Sequence, residues 1–87
     1  MVWTVYILEC SDRTLYTGIS PKVEQRIANH EKGKGARYTK GRGPFTLVYT
    51  EQKETKGEAL KREREIKSLR RKEKLALISE TQKPKGR

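Results

Sequence analysis

Thr4-Val5-Tyr6-Ile7-Leu8-Glu9-Cys10, followed by Leu15-Tyr16-Thr17-Gly18-Ile19-Ser20 and then by Arg26 and His30, is the stretch on which the fold turns. Apolar runs at residues 2–9 and 14–19 flank Ser11-Asp12-Arg13. Both runs are rich in β-branched and aromatic side chains and the polar break is short, which spells a β-hairpin. Ser20 is placed to cap a helix, and Pro21 suits a first helical position, where no amide donor is needed. A helix over Pro21–Glu31 would carry Val23, Ile27 and His30 in one stripe. Arg26 would lie at its edge, one turn from His30, and Gly33 would end it.

Working outward, the first strand covers Val2–Glu9. It alternates Trp3, Val5 and Ile7 with Thr4, Tyr6 and Leu8, and two largely apolar faces mark a central strand. The second strand covers Thr14–Ile19. Whether Tyr6 and Tyr16 share a face depends on the hairpin register, and a slip of a single residue reverses the answer. A third strand is expected over Phe45–Glu51, with Phe45, Leu47 and Tyr49 on one face. Thr55-Lys56-Gly57-Glu58 has the form of a capping box and opens a second helix reaching Leu69. A third helix covers Arg71–Ser79, and residues 80–87 form a flexible basic tail beyond a domain of residues 1–79. The expected fold class is α+β: a small three-stranded antiparallel sheet flanked by about three helices.

At 87 residues, with 32% hydrophobic and 37% charged side chains, the chain has room for one thin core. The formal net charge is +10, and the excess is spread along the chain rather than held in one tail. Such a surface favours a polyanion, DNA or alternatively RNA, although it also serves plain solubility. Cys10 is the single cysteine, so no disulfide and no zinc cluster can form within the chain. That usage fits a reducing, cytoplasmic setting. No signal peptide and no membrane span are expected, and a monomer is.

Residues 32–44 hold five cations, four glycines and no acid. They read as a mobile loop whose backbone amides and the side chains Lys32, Lys34, Arg37, Lys40 and Arg42 sit against phosphates, with Tyr38 stacking on a base. A solvated connection is the alternative. In the second helix, Ala59, Leu60, Ile66 and Leu69 form the apolar stripe and Glu63 falls inside it. An inward carboxylate costs several kcal/mol unless a cation meets it. That cation can be a protein side chain such as Arg26, or a divalent metal with oxygen ligands and waters.

Each residue alone has an ordinary packing role. Together, Tyr6, Tyr16, Arg26, His30 and Glu63 supply what phosphodiester hydrolysis needs. A tyrosinate or imidazole can take a proton from water, a guanidinium fork can hold the phosphate, and a carboxylate can carry a metal.

In order, Val5-Tyr6-Ile7 and Tyr16-Thr17-Gly18 resemble the paired signature of the GIY-YIG nuclease superfamily. Arg26, His30 and Glu63 fall at fitting distances after them. The run Gly33-Lys34-Gly35-Ala36-Arg37-Tyr38-Thr39 further resembles the small stand-alone bacterial, UPF0213-like subgroup. The first motif lacks its glycine, and the polar residue that many members carry after the metal helix has no counterpart near Leu69–Leu77. The resemblance implies a three-stranded antiparallel sheet and one-metal cleavage of single DNA strands with Mg2+ or Mn2+. It implies Tyr16 as general base or its activator, Tyr6 and His30 as assistants, Arg26 on the phosphate, Glu63 on the metal and Gly18 as a motif position. It implies low sequence specificity, because no second recognition domain is present. Two other readings stand beside it: a catalytically silent nucleic-acid-binding module, and an accessory subunit that needs a protein partner, as in a repair complex.

Overall fold

The computed structural model describes residues 2–34 and 39–82. The element order is β1 (Trp3–Glu9), β2 (Leu15–Ser20), α1 (Val23–Glu31), β3 (Thr46–Lys53), α2 (Lys56–Lys67) and α3 (Arg71–Gln82). The strands form one antiparallel sheet in the order β2-β1-β3, so the strand with two apolar faces is the central one. The α+β class expected from the sequence is the one observed.

The hairpin closes on Ser11-Asp12-Arg13. Cys10 and Thr14 join across it, with Cys10 N donating to Thr14 O at 2.9 Å. Arg13 takes φ 72°, the left-handed residue that a three-residue hairpin loop requires. Asp12 fixes the turn by accepting from Thr14 N at 3.1 Å and from the Thr14 hydroxyl at 2.6 Å. Cys10 itself is buried, as a small strand-end residue.

On one face of the sheet, Val5, Ile7 and Tyr49 pack with Ala59 and Ile66 of α2 and Ile78 of α3. Burying such side chains is worth about 1.5–3 kcal/mol each, which is what a domain this small relies on. Thr55 caps α2 reciprocally: its hydroxyl accepts from Glu58 N at 3.1 Å, and Glu58 accepts from Thr55 N at 3.3 Å. Beside the core, Glu51 binds Arg62 at 2.9 Å and Lys53 at 2.8 Å, and accepts from the Tyr49 hydroxyl at 2.5 Å. Burial works to raise Glu51, but those three donors overcome it and hold the carboxyl at about 2.

Four details depart from the sequence reading. First, α1 starts at Val23, not at Pro21: Ser20 Oγ accepts from Lys22 N at 3.0 Å and makes a turn ahead of the helix instead of capping it. Second, Leu47 and Tyr49 do not share a face. The register of β3 against β1 slips between Ile7 and Leu8, so Val48 is an extra residue, Tyr49 opposes Ile7 and Leu47 opposes Leu8. Third, α3 continues through residues 80–82, beyond the Ser79 end expected from the sequence; residues 83–87 lie outside the described residues. Fourth, the 32–44 loop is anchored at its far end. Thr39 is 1% exposed, Ser11 N donates to Arg42 O at 2.8 Å, and Phe45 N donates to Glu31 Oε2 at 3.0 Å. Two hydrogen-bonding side chains of α1, His30 and Glu31, hold a segment that has little apolar content of its own. Among the described residues, no helix is long and apolar enough to cross a membrane.

Candidate active site

Tyr6 is the centre of the site. Central strand β1 presents it on the face away from the α2 core, opposite Gly18 of β2, and it is 0% exposed. Only glycine fits opposite: a Cβ on residue 18 would lie 2.7 Å from Tyr6 Oη and 2.8 Å from Cζ. Tyr16 opposes Leu8, one step along the same face, so the register places both phenols together with ring centroids 6.4 Å apart.

Helix α1 delivers His30 to the same spot from its last turn. The turn is locked by the hydrogen bonds that follow it, Gly33 N to His30 O at 3.0 Å and Lys34 N to Asn29 O at 2.8 Å. With Gly33 at φ 76°, this is a Schellman end, and it fixes where the last side chains point. His30 is 1% exposed. Its Nε2 is 3.0 Å from Tyr6 Oη, and its Nδ1 is 2.8 Å from Thr39 Oγ1. The rings of Tyr16 and Phe45 stand edge-on to it, at 5.3 and 5.9 Å. Thr39 therefore completes the site although it was not among the sequence candidates. It lies in a run of glycines and cations with no periodicity, and the one available hint was that a buried imidazole needs two partners.

The electrostatics separate the roles. Burial pushes the Tyr6 phenol up to about 12, against the pull of a hydrogen bond from Arg26. Charge on Tyr16 and the carboxylate of Glu63 add to the rise. Tyr6 is thus a neutral relay at ordinary pH. His30 is held below its usual value by burial and then by the charge of Arg26. A neutral His30 has one donor and one acceptor nitrogen. With Nδ1–H given to Thr39, Nε2 accepts the Tyr6 hydroxyl, and the positive charge of Arg26 opposes the rise that burial imposes on Tyr6.

Glu63 reaches the group from α2. Its side chain is 16% exposed, and Lys67, one turn on, pairs with it at 3.2 Å. Tyr6, Tyr16, Arg26, His30 and Glu63 are accordingly brought within electrostatic reach of one phenol. Of the nucleic-acid-binding candidates, Lys32, Lys34 and Lys40 are exposed. Arg42 is half-buried and forms an ion pair with Asp12. Arg37 and Tyr38 lie outside the described residues.

A profile of the GIY-YIG catalytic domain matches residues 2–76. The chain belongs to the GIY-YIG family. A UPF0213 protein of Staphylococcus aureus is 57% identical over 76 residues, spanning 87% of this chain and 93% of the relative. One from the archaeon Natronomonas pharaonis is 51% identical, over 87% and 89%. Among solved structures, the solution structure of the UPF0213 protein of Bacillus halodurans has a TM-score of 0.63 at 49% identity, covering 97% of this chain and 89% of that one. The family's chemistry is nuclease-like, its substrates are nucleic acids, and its nucleases generally use a divalent metal.

The residues present fit such an ion in one way. Among the described residues, no three His, Cys, Asp or Glu side chains form a ligand cluster. Glu63 alone would hold the ion. That suits a hard cation such as Mg2+, which keeps several waters and takes its remaining ligands from substrate phosphate.

His30 is the chain's one histidine, which makes it an unambiguous probe. The unfolded chain takes up a proton near the ordinary 6.5, whereas the fold resists it. The unfolded state binds more protons below that value, so stability falls as pH drops through about 6.5 and until the folded imidazole also protonates. Urea midpoints are expected to fall between about pH 7 and about pH 5.5 in the wild type and to stay level in His30→Gln. Glu51 adds a loss of its own only as pH falls through its ordinary value of 4.5 towards about 2, below this window.

Proposed function

We propose that this protein is an endonuclease that hydrolyses phosphodiester bonds in DNA with one divalent ion, Mg2+ or Mn2+, at Glu63. One observation carries the reading. The buried phenol of Tyr6 is hydrogen-bonded to His30 at 3.0 Å and feels Arg26, Tyr16 and Glu63 as its charged or ionisable neighbours. A hydrophobic core has no use for such a concentration of polar groups, and phosphoryl transfer has a use for each.

Tyr16, half-buried at the rim, acts in its phenolate form to take the proton from the attacking water. Tyr6, which burial pushes up to about 12, is assigned to holding Arg26 and His30 in place. Arg26 holds the non-bridging oxygens of the phosphate and opposes the charge that grows there. The water oxygen forms the new bond to phosphorus, the bond to the leaving oxygen breaks, and that oxygen takes a proton from solvent, to which Tyr16 in turn returns the one it received. A metal at Glu63 would polarise the phosphate and stabilise the leaving oxygen.

The deciding experiment is nicking of supercoiled plasmid. Wild type is expected to produce open circles in Mg2+ or Mn2+ and to stop on chelation. A Glu63→Ala protein that cuts as well as wild type would overturn the assignment.

A second reading is favoured by the 3.2 Å pair of Lys67 with Glu63, which satisfies the inward acid without a metal. The protein would then be a silent DNA- or RNA-binding module. It would bind with steep salt dependence and cut under no metal.

A further inference from the structure

On the far side of β2 from Tyr6 lies a notch of about 350 Å³ walled by Leu15, Tyr16, Thr17, Lys67 and Lys74. β2 is an edge strand, so the notch opens along the margin of the sheet. Thr17 opposes Ile7 and therefore turns its side chain toward α2. It is 3% exposed, and among the described residues its hydroxyl has no hydrogen-bond partner. A buried hydroxyl without a partner weakens a fold, and valine would fill the same space at no such cost. Packing therefore does not account for threonine here. The polar side chains around it supply a reason. Lys67 of α2 and Lys74 of α3 bring two cations to the wall, the first of them paired with Glu63. An anion with acceptor oxygens entering the notch would meet two ammonium groups and one waiting hydroxyl donor.

We propose that this notch is a subsite for a backbone phosphate of the nucleic-acid strand whose neighbouring phosphodiester lies at Tyr16. Lys67 and Lys74 neutralise the phosphate, and the Thr17 hydroxyl donates to one of its oxygens. The inference rests on the nuclease reading and extends it by saying which edge of the sheet the strand follows. Tyr16 belongs to both places: its ring stands beside His30, and it is one of the residues that wall the notch. Lys67 links them too. Its ammonium pairs with Glu63 at 3.2 Å, so a phosphate in the notch competes with Glu63 for the same cation. Strand binding thus loosens the ion pair and frees the carboxylate for a metal.

The test is fluorescence anisotropy with a fluorescein-labelled single-stranded DNA oligonucleotide, in chelator so that nothing is cut. Thr17→Val and Lys74→Ala are each expected to weaken binding roughly threefold to tenfold, and Lys74→Ala to lower the salt slope by about 0.7. Thr17→Val should melt at or above the wild-type temperature, which separates lost affinity from lost folding. If wild type binds and both variants bind equally well with an unchanged slope, the subsite is wrong and the nuclease reading survives. If wild type binds no DNA, the nuclease reading falls and the subsite with it. Binding of poly-glutamate in preference to DNA would also overturn the proposal, in favour of an acidic protein partner.

Discussion

Glu63→Ala is expected to lower the nicking rate by roughly 10²–10³-fold, the loss that follows when about 3–4 kcal/mol of charge stabilisation leaves the transition state. The same change should leave the fold almost untouched. Glu63 meets Lys67 in the (i, i+4) sense, and the lysine side chain is 52% exposed. Pairs of that kind contribute at most about 1 kcal/mol. A large kinetic loss with a small shift in melting temperature is what distinguishes a working carboxylate from a structural one. Glu63→Gln keeps the shape and removes the charge, so it should fall with Glu63→Ala. Lys67→Ala makes the opposite point. With its ammonium gone, Glu63 loses its ion-pair partner on α2, and the Mn2+ concentration for half-maximal nicking at saturating DNA should drop. Equal metal requirements in Lys67→Ala and wild type would mean that the lysine does not stand where the ion goes. A Glu63→Ala protein with wild-type nicking would leave only the binding module.

Much of this was legible before any coordinates, and the reasons are particular. The hairpin, the central strand and the Thr55–Glu58 cap each depend on neighbours a few residues away, and local spacing carries that information. Glu63 stood out because it interrupts an apolar stripe, and α2 does place it with a 16% exposed side chain. What escaped was whatever depends on long-range register. The alternation of β3 broke at Val48 because a bulge cannot be told from regular pleating in a run of mixed side chains. Whether Tyr6 and Tyr16 met was undecided until the pairs Tyr6–Gly18 and Leu8–Tyr16 were fixed. Thr39 was hidden in a stretch that reads as solvated loop. Its burial comes from His30, nine residues earlier, and nothing in the intervening residues advertises it. Thr17 was invisible for the opposite reason: in sequence it is an ordinary β-branched strand residue, and only its missing hydrogen-bond partner sets it apart.

Gly18→Ala is expected to be the most damaging small substitution in the chain, and the cause is a contact rather than backbone freedom. A methyl at residue 18 would sit 2.7 Å from Tyr6 Oη, 2.8 Å from Cζ and 3.1 Å from Tyr16 Cε2. Tyr6 is 0% exposed and tied to His30, so its ring has nowhere to swing. Overpacking of this kind costs about 1–3 kcal/mol, and in a domain this size each kcal/mol lowers the melting temperature by roughly 4–8 °C. Activity should fall further than stability, because a displaced Tyr6 takes Arg26 and His30 with it. The pairing of the two positions can be isolated in a double-mutant cycle. Tyr6→Phe removes the nearest atom but leaves Cζ in place. Gly18→Ala should therefore cost less in that background than in wild type, without becoming neutral. Strict additivity of the two changes in urea unfolding would show that the glycine is not there to admit the phenol. The second motif's glycine would then need another explanation than the first motif's tyrosine.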